Sequence, residues 1–320
     1  MDNSIFVFSL DLELIWGAIN PPVYRLLTLL KKAGGVKLRA CIHFLLDLFE
    51  KYKVSVTWAV VGHLFLDYLL EHKVQGFNMH YNNCLSSNNL VIRLLKKDPL
   101  LFYGKDIVDE IMSSHISHEI GYHSFSHPVF TSITREAAEM EIKMGVELAK
   151  KFGLTLNSFV FPKNEIAHVD LLKKYGFKIY RGKTAGRYDD KYSFLRQKAY
   201  GLINKIISSP VMPKWENGIW MIPASIYFCD PQIPFTLTYR AKLGLRRAIY
   251  SNQVFHVFIH PWNLLSYKFL HRDIEFLLKY VAKERDAGRI KIMTLSQLAN
   301  FLNKKYIRYL GHNKINSKEN

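Results

Sequence analysis

Two hydrophobic periods alternate along the chain. Short apolar runs rich in β-branched and aromatic residues lie at 5–10, 54–61, 118–122, 157–161, 177–180, 219–223, 254–259 and 290–293, each with the length of a buried strand. Between most of them apolar positions recur every three to four residues, which predicts helices over 39–52, 134–152, 166–175, 270–287 and 295–305. Thr131, Ser132 and Thr134 are N-cap candidates ahead of Glu136 and Glu139, whose charges suit a helix N-terminus. Strand-helix alternation sustained over the whole chain predicts a parallel sheet. Seven or eight such units without an evident linker favour closure into a barrel, so one α/β domain is expected over 1–310. Two regions break the rhythm and read as loop insertions, an Asn/Ser-rich one near 73–105 and a basic, Pro-containing one near 185–250; 311–320 is a polar tail.

The first run, 5-IFVFSLDLELIWG-17, ends in Asp11 and Glu13. Residues i and i+2 of a strand share a face, so these carboxylates converge and repel unless a cation, a shared proton or open water intervenes. Other reactive residues also follow strand-like runs: His123 and His127 after HEIGY, Lys163 after NSFVFP, Arg181 after FKIY and His260 after VFHVFI. In a barrel of parallel strands these ends form one rim. In 121-GYHSFSHPVF-130 the histidines stand at i and i+4, a spacing that lets both imidazoles reach one metal. A carboxylate from another strand end would complete a two-His-one-carboxylate set with places left for water and substrate. Hydrolysis also needs a base and an acid. One of the first-strand carboxylates would ligate while the other acts as base, and His260 is the candidate acid. His256, within the same strand pattern, reads as a buried histidine with a satisfied hydrogen bond.

Composition narrows the class. A chain of 320 residues that is 49% hydrophobic and 22% charged buries a large core, which excludes disorder. The net charge of +17 suggests an anionic partner: nucleic acid, a phosphorylated ligand or an acidic membrane surface. No dense Lys/Arg block interleaved with aromatics and no helix-turn-helix or RNA-recognition pattern is evident, which disfavours nucleic acid. Cys41, Cys84 and Cys229 are odd in number and widely spaced, so neither a disulfide framework nor a cysteine-built zinc site is expected. The N-terminus MDNSIFVFSLDLE lacks a basic n-region and a cleavage-like site, and its apolar run is short. A cytoplasmic location is therefore expected.

The motifs S-L-D-L-E, H-S-F-S-H, F-P-K-N and I-H-P-W, in that order across roughly residues 5–265, resemble those of the polysaccharide deacetylase family, also called the NodB-homology or carbohydrate esterase family four group. The resemblance implies a distorted (β/α) barrel of about seven parallel strands that removes an N-acyl group, usually acetyl, from an amino sugar with a divalent metal, most often Zn2+. It also implies that Asp11 is the general base, that Glu13, His123 and His127 hold the metal, and that His260 is the general acid. The family's acidic motif has adjacent aspartates or Asp-x-Asp, whereas this chain has Asp-x-Glu. Many relatives carry an arginine where F-P-K-N has Lys163; a lysine keeps the charge but loses the planar two-point grip, so either Lys163 suffices or Arg181 supplies the guanidinium. An acid that tunes His260 is expected from the family, with Asp189 and Asp190 the loop candidates. Trp16, Trp262 and Tyr180 are candidate walls for a sugar or acyl group. A cytoplasmic enzyme of this kind would act on a nucleotide- or lipid-phosphate-linked sugar intermediate of polysaccharide assembly, and the +17 charge suits that carrier or peripheral contact with the inner membrane surface. The rival readings are a deformylase or other amide hydrolase on the same fold, and a catalytically impaired carbohydrate-binding protein.

Overall fold

The computed structural model describes residues 3–19, 22–66, 89–185, 208–229 and 236–316. Its strands are β1 (Ser4–Leu12), β2 (Thr57–Val60), β3 (Glu119–Tyr122), β4 (Ser158–Val160), β5 (Ile179–Thr184), β6 (Lys214–Glu216), β7 (Ile219–Ala224), β8 (Ile226–Tyr227), β9 (Val254–Ile259) and β10 (Ile290–Ile292). Each apolar run predicted to be a strand overlaps one, the largest offset being at β5, which begins two residues into the run 177–180 and extends to Thr184. The sheet order is β6-β7-β5-β4-β3-β2-β1-β9-β8, with β10 beside β1; every pairing is parallel except β6 with β7. β7 and β8 are separated only by Ser225, and β7 pairs with β5 while β8 pairs with β9. The Ser225 N–H donates to the His256 carbonyl (2.7 Å), so the chain itself bridges the two edges and the α/β sheet curls into the expected ring.

Distortion has a visible cause in β1. Its first half pairs with β10, at Ser4–Phe6, and its second half pairs with β2, at Ser9–Leu12. Below β2 the gap is closed by polar ties: Thr57 Oγ1 donates to Glu119 Oε2 (2.8 Å), and the Leu295 N–H donates to Thr57 Oγ1 (2.9 Å). Leu295, Leu298, Ala299 and Leu302 of the helix Leu295–Asn316 then pack with Ile5, Val7, Ala59, Val160, Ile179, Ile222 and Val254 in one apolar cluster at this end. Alternate residues of the strands, such as Phe6, Phe8, Leu10 and Leu12, belong to the other cluster, with the surrounding helices. On β1 the inner face therefore reads Ile5, Val7, Ser9, Asp11, and Glu13 continues it past the strand end: apolar at the plugged end, charged at the open one.

The predicted helix over 39–52 is the second half of Tyr24–Tyr52, which changes direction at Gly34 (φ 76°, ψ 166°), a conformation open to glycine. Thr134 caps Arg135–Lys151, its hydroxyl accepting from the Ala137 N–H (3.3 Å). The regions read as loop insertions also hold Asn89–Lys97 and Thr236–Ser251 as helices. Among the described residues no helix is long and apolar enough to cross a membrane. Asp189, Asp190 and Cys84 lie outside the described residues.

Gly145 shows how closely the helix layer sits on the sheet. A Cβ there would lie 1.8 Å from the ring of the buried Tyr122 of β3. Helix propensity alone favours Gly145→Ala by about 1 kcal/mol, whereas forcing a methyl into a filled core costs about 1–3 kcal/mol. The clash should win, and the urea unfolding midpoint of Gly145→Ala should fall; an unchanged or higher midpoint would contradict this packing.

Candidate active site

Five of the residues singled out from sequence meet at the open end of the ring. Asp11 comes from the end of β1, and Glu13 from the turn beyond it, where the helical turn Trp16–Ile19 packs over its carboxylate. Gly17 makes that possible, because a Cβ at this position would lie 2.0 Å from Glu13 Oε1. Glu13 Oε2 lies 2.9 Å from His127 Nε2 and 3.4 Å from His123 Nε2. His260, following β9, places Nε2 3.5 Å from Asp11 Oδ2 and 3.6 Å from Glu13 Oε1. Its side chain is 18% exposed, against at most 4% for the other four, so His260 marks the side open to solvent. Trp262 joins the site by donating its indole N–H to Glu13 Oε1 (3.1 Å), and its ring packs 4.8 Å from that of His260.

Arg181, on β5, settles where the guanidinium comes from. Its Nη1 and Nη2 each donate to one oxygen of Asp11 at 2.6 Å, a bidentate pair buried from solvent. Lys163 instead reaches the Gly17 carbonyl (3.3 Å), and it is the neighbouring Asn164 that contributes to the clamp, accepting from Arg181 Nη2 (3.1 Å). The remaining Nη1 hydrogen goes to Ser9 Oγ (3.3 Å), and the guanidinium lies over the Phe258 ring (4.1 Å). Ser9, one inward position below Asp11, donates to His256 Nε2 (2.9 Å), because the Pro223 carbonyl can only accept and so takes the ring hydrogen on Nδ1 (3.2 Å). His256 is thus fully buried and hydrogen-bonded on both ring nitrogens.

The loop carrying the histidine pair is held by a residue that the sequence reading missed. Glu141, buried in the helix Arg135–Lys151, accepts from the Phe125 and Ser126 N–H groups (both 2.8 Å) and from the Ser126 hydroxyl (2.5 Å). From the other side, Ser124 and Phe125 carbonyls accept from the Gly62 and His63 N–H groups (2.9 and 3.1 Å). These bonds sustain positive φ at Ser124 and His127 (both 61°), which turns the two imidazoles toward Glu13. A helical carboxylate sixteen residues after Phe125 gives no local signal of this role.

Trp16 differs from its expected place at a sugar-facing wall. Its ring is 3% exposed, stacks on His63 (4.0 Å) and donates its N–H to the Phe102 carbonyl (2.9 Å), so it supports the floor of the site. Tyr180 is likewise buried.

The electrostatics suit a cation. Burial opposes ionisation of Asp11, but the charges of Arg181, His260 and His123 outweigh it and hold the carboxyl below its ordinary value. Burial also opposes ionisation of Glu13, yet His260 and His127 hold it well below the usual carboxylate range. Of the two, Asp11 faces the guanidinium, and Glu13 is left to the imidazoles and the Trp262 N–H. His123 donates from Nδ1 to the Val160 carbonyl (2.7 Å), which fixes the tautomer and leaves the buried Nε2 as a lone-pair donor without a hydrogen-bond partner. One ligand atom each from Glu13, His123 and His127 lies within 4.8 Å of the others. Two imidazoles and a carboxylate with an open side fit a divalent metal of the zinc type.

Residues 39–180 match the model of the family described as polysaccharide deacetylase. The match spans His123, His127 and Lys163 and stops one residue short of Arg181. No curated protein matches the sequence. Solved structures agree on the fold: a protein from Mycobacterium smegmatis assigned as a polysaccharide deacetylase aligns over 95% of this chain and 91% of its own, with 12% identity and a TM-score of 0.62. The Puue allantoinase aligns over 93% and 89%, at 12% identity and 0.55. The 4-alpha-glucanotransferase of Thermococcus litoralis aligns over 92% of this chain and 40% of its own, at 12% identity and 0.51.

Burial and the Arg181 charge push His256 down to about 3. An unfolded histidine protonates near pH 6.5, so below that pH the unfolded chain binds a proton that the folded one refuses, and stability falls with acidification until about pH 3. This one group contributes a slope of up to about 1.4 kcal/mol per pH unit. His256→Gln should lower stability but flatten its dependence between about pH 4 and 6, read by urea unfolding. Parallel slopes in the two proteins would contradict a neutral, proton-refusing His256.

Proposed function

We propose that the chain is a metal-dependent hydrolase that removes an N-acyl group, acetyl in the first instance, from an amino sugar carried on a nucleotide or lipid phosphate. One observation carries this reading: two carboxylates and three imidazoles meet within hydrogen-bonding or near-contact distances on a rim whose exposed member is His260. A divalent cation, zinc by the donor set, would be held by Glu13, His123 and His127 and would supply a Lewis acid for the acyl carbonyl and a lowered pKa for water. Asp11, held ionised and fixed in plane by Arg181, accepts the proton of the attacking water. His260, on the open side, gives its proton to the departing amine nitrogen. Trp262 orients the Glu13 oxygen that the histidine ligands do not approach and offers its ring to the substrate side. The +17 charge favours a substrate with a phosphate carrier.

Amine release from N-acetyl and N-formyl amino sugars, supplied free, nucleotide-linked and lipid-phosphate-linked, tests the reaction. Turnover should be highest on a phosphate-linked N-acetyl sugar, and Asp11→Asn should lower kcat by about 10²–10⁴. Arg181→Lys keeps the charge but loses the two-point grip and should lower kcat by at least about tenfold, while Lys163→Ala should cost less than that. Amine release untouched by Asp11→Asn, or a larger loss in Lys163→Ala than in Arg181→Lys, would sink this assignment.

A further inference from the structure

The helix Thr236–Ser251, TLTYRAKLGLRRAIYS, contains four cations and no acid. Leu237, Ala241, Leu245 and Ala248 are buried toward the barrel. On the opposite side a strip at helical spacing exposes Tyr239 (65%), Lys242, Arg246 and Tyr250 (93%). Cations and aromatic rings therefore do interleave here, but over successive turns of a helix, which is why no dense block is evident in the linear sequence. Leu270–Asp286 lies alongside in the same direction: Thr238 Oγ1 donates to Asp273 Oδ1 (3.1 Å), and Lys242 Nζ sits over the Tyr280 ring (5.0 Å). The second helix adds Phe276 (52% exposed) and Lys279 to the outer face.

Its acids are mostly engaged away from that face, although Glu275 also lies in the field of Lys279. Asp273 is buried against Thr238, Glu284 is buried and bonded to Arg289, Glu275 is turned to Lys51 and Tyr52, and Asp286 holds Arg285. Lys242, Arg246 and Lys279 are in no salt bridge among the described residues. We propose that the outer face of these two helices docks on an anionic lipid bilayer. Cations at each turn meet headgroup phosphates, while the tyrosine and Phe276 rings enter the boundary with the acyl chains. The cations are spread over two neighbouring parallel helices with exposed aromatic rings among them, a mixture that suits the headgroup–acyl boundary of a bilayer. A single-stranded nucleic acid is tracked instead by a basic groove.

Co-sedimentation of the full chain with vesicles tests the surface without any substrate, so the result stands apart from amide hydrolysis. The chain should bind phosphatidylcholine vesicles containing phosphatidylglycerol, release in high salt, and ignore pure phosphatidylcholine. Lys242→Glu/Arg246→Glu/Lys279→Glu should lower partitioning at least about thirtyfold, and Tyr239→Ser/Tyr250→Ser/Phe276→Ser at least about fivefold at unchanged net charge. Lys150→Glu/Lys151→Glu/Lys178→Glu, an equal charge change on exposed lysines elsewhere, should keep wild-type binding. Matching thermal melts show which variants fold. Failure of the wild type to bind, equal loss in the Lys150 set, or displacement of the vesicles by a single-stranded oligonucleotide at equal phosphate would overturn the proposal.

Discussion

A guanidinium buried in the middle of a barrel is the constraint on which the rest of the site depends. The Arg181 side chain has no solvent exposure, so its charge and its Nη donors are met by the surrounding strands, while the buried Nε–H is left without a hydrogen-bond partner among the described residues. Asp11 takes two donors, Ser9 and Asn164 take one each, and Phe258 supplies its ring face. Ser9 and Asp11 come from β1, Asn164 from the turn after β4 and Phe258 from β9, so the clamp exists only when these and β5 are all in register. Satisfying Arg181 simultaneously fixes the plane of the Asp11 carboxylate. A buried ion pair of this kind is better understood as orientation than as net stabilisation, because desolvation offsets most of its Coulombic gain.

The second carboxylate is handled differently. Glu13 has no guanidinium; its companions are imidazoles and the Trp262 N–H, all on residues that follow strand ends. The surroundings of this cluster are tightly specified. Glu141 pins the loop between the histidines, Gly17 leaves room for the Glu13 carboxylate, and the Val160 carbonyl chooses the His123 tautomer. None of these three touches the open side. They act by restricting rotamers and backbone angles, which is how a site is held ready without its ligand.

Much of this was legible in the sequence because strand ends in a parallel barrel are also the functional rim. The run VFHVFI matches β9 residue for residue, and the carboxylates, the histidine pair and His260 were found by looking just past such runs. What stayed hidden depended on register or distance. Lys163 and Arg181 were equal candidates until the pairing of Val160 with Arg181 put the guanidinium inside the ring. Glu141 lies in an ordinary amphipathic helix, and only folding brings it to the loop. Trp16 looked like a wall because it follows the acids, but the helical turn after Leu14 folds its ring into the core. Thr236–Ser251 falls in a stretch whose composition suggests insertion, yet its buried Leu237, Ala241, Leu245 and Ala248 recur at helical spacing.

Convergence of Glu13, His123 and His127 on one cation is the claim that everything at the rim serves, and a zinc titration followed by isothermal calorimetry measures it without a substrate. Wild-type chain stripped by chelation should take up zinc stoichiometrically, and Glu13→Gln and His123→Ala should each weaken binding by at least about 10²-fold while Lys163→Ala leaves it unchanged. Zinc affinity in Glu13→Gln equal to that of the wild type, or no uptake by the wild type at all, would contradict it.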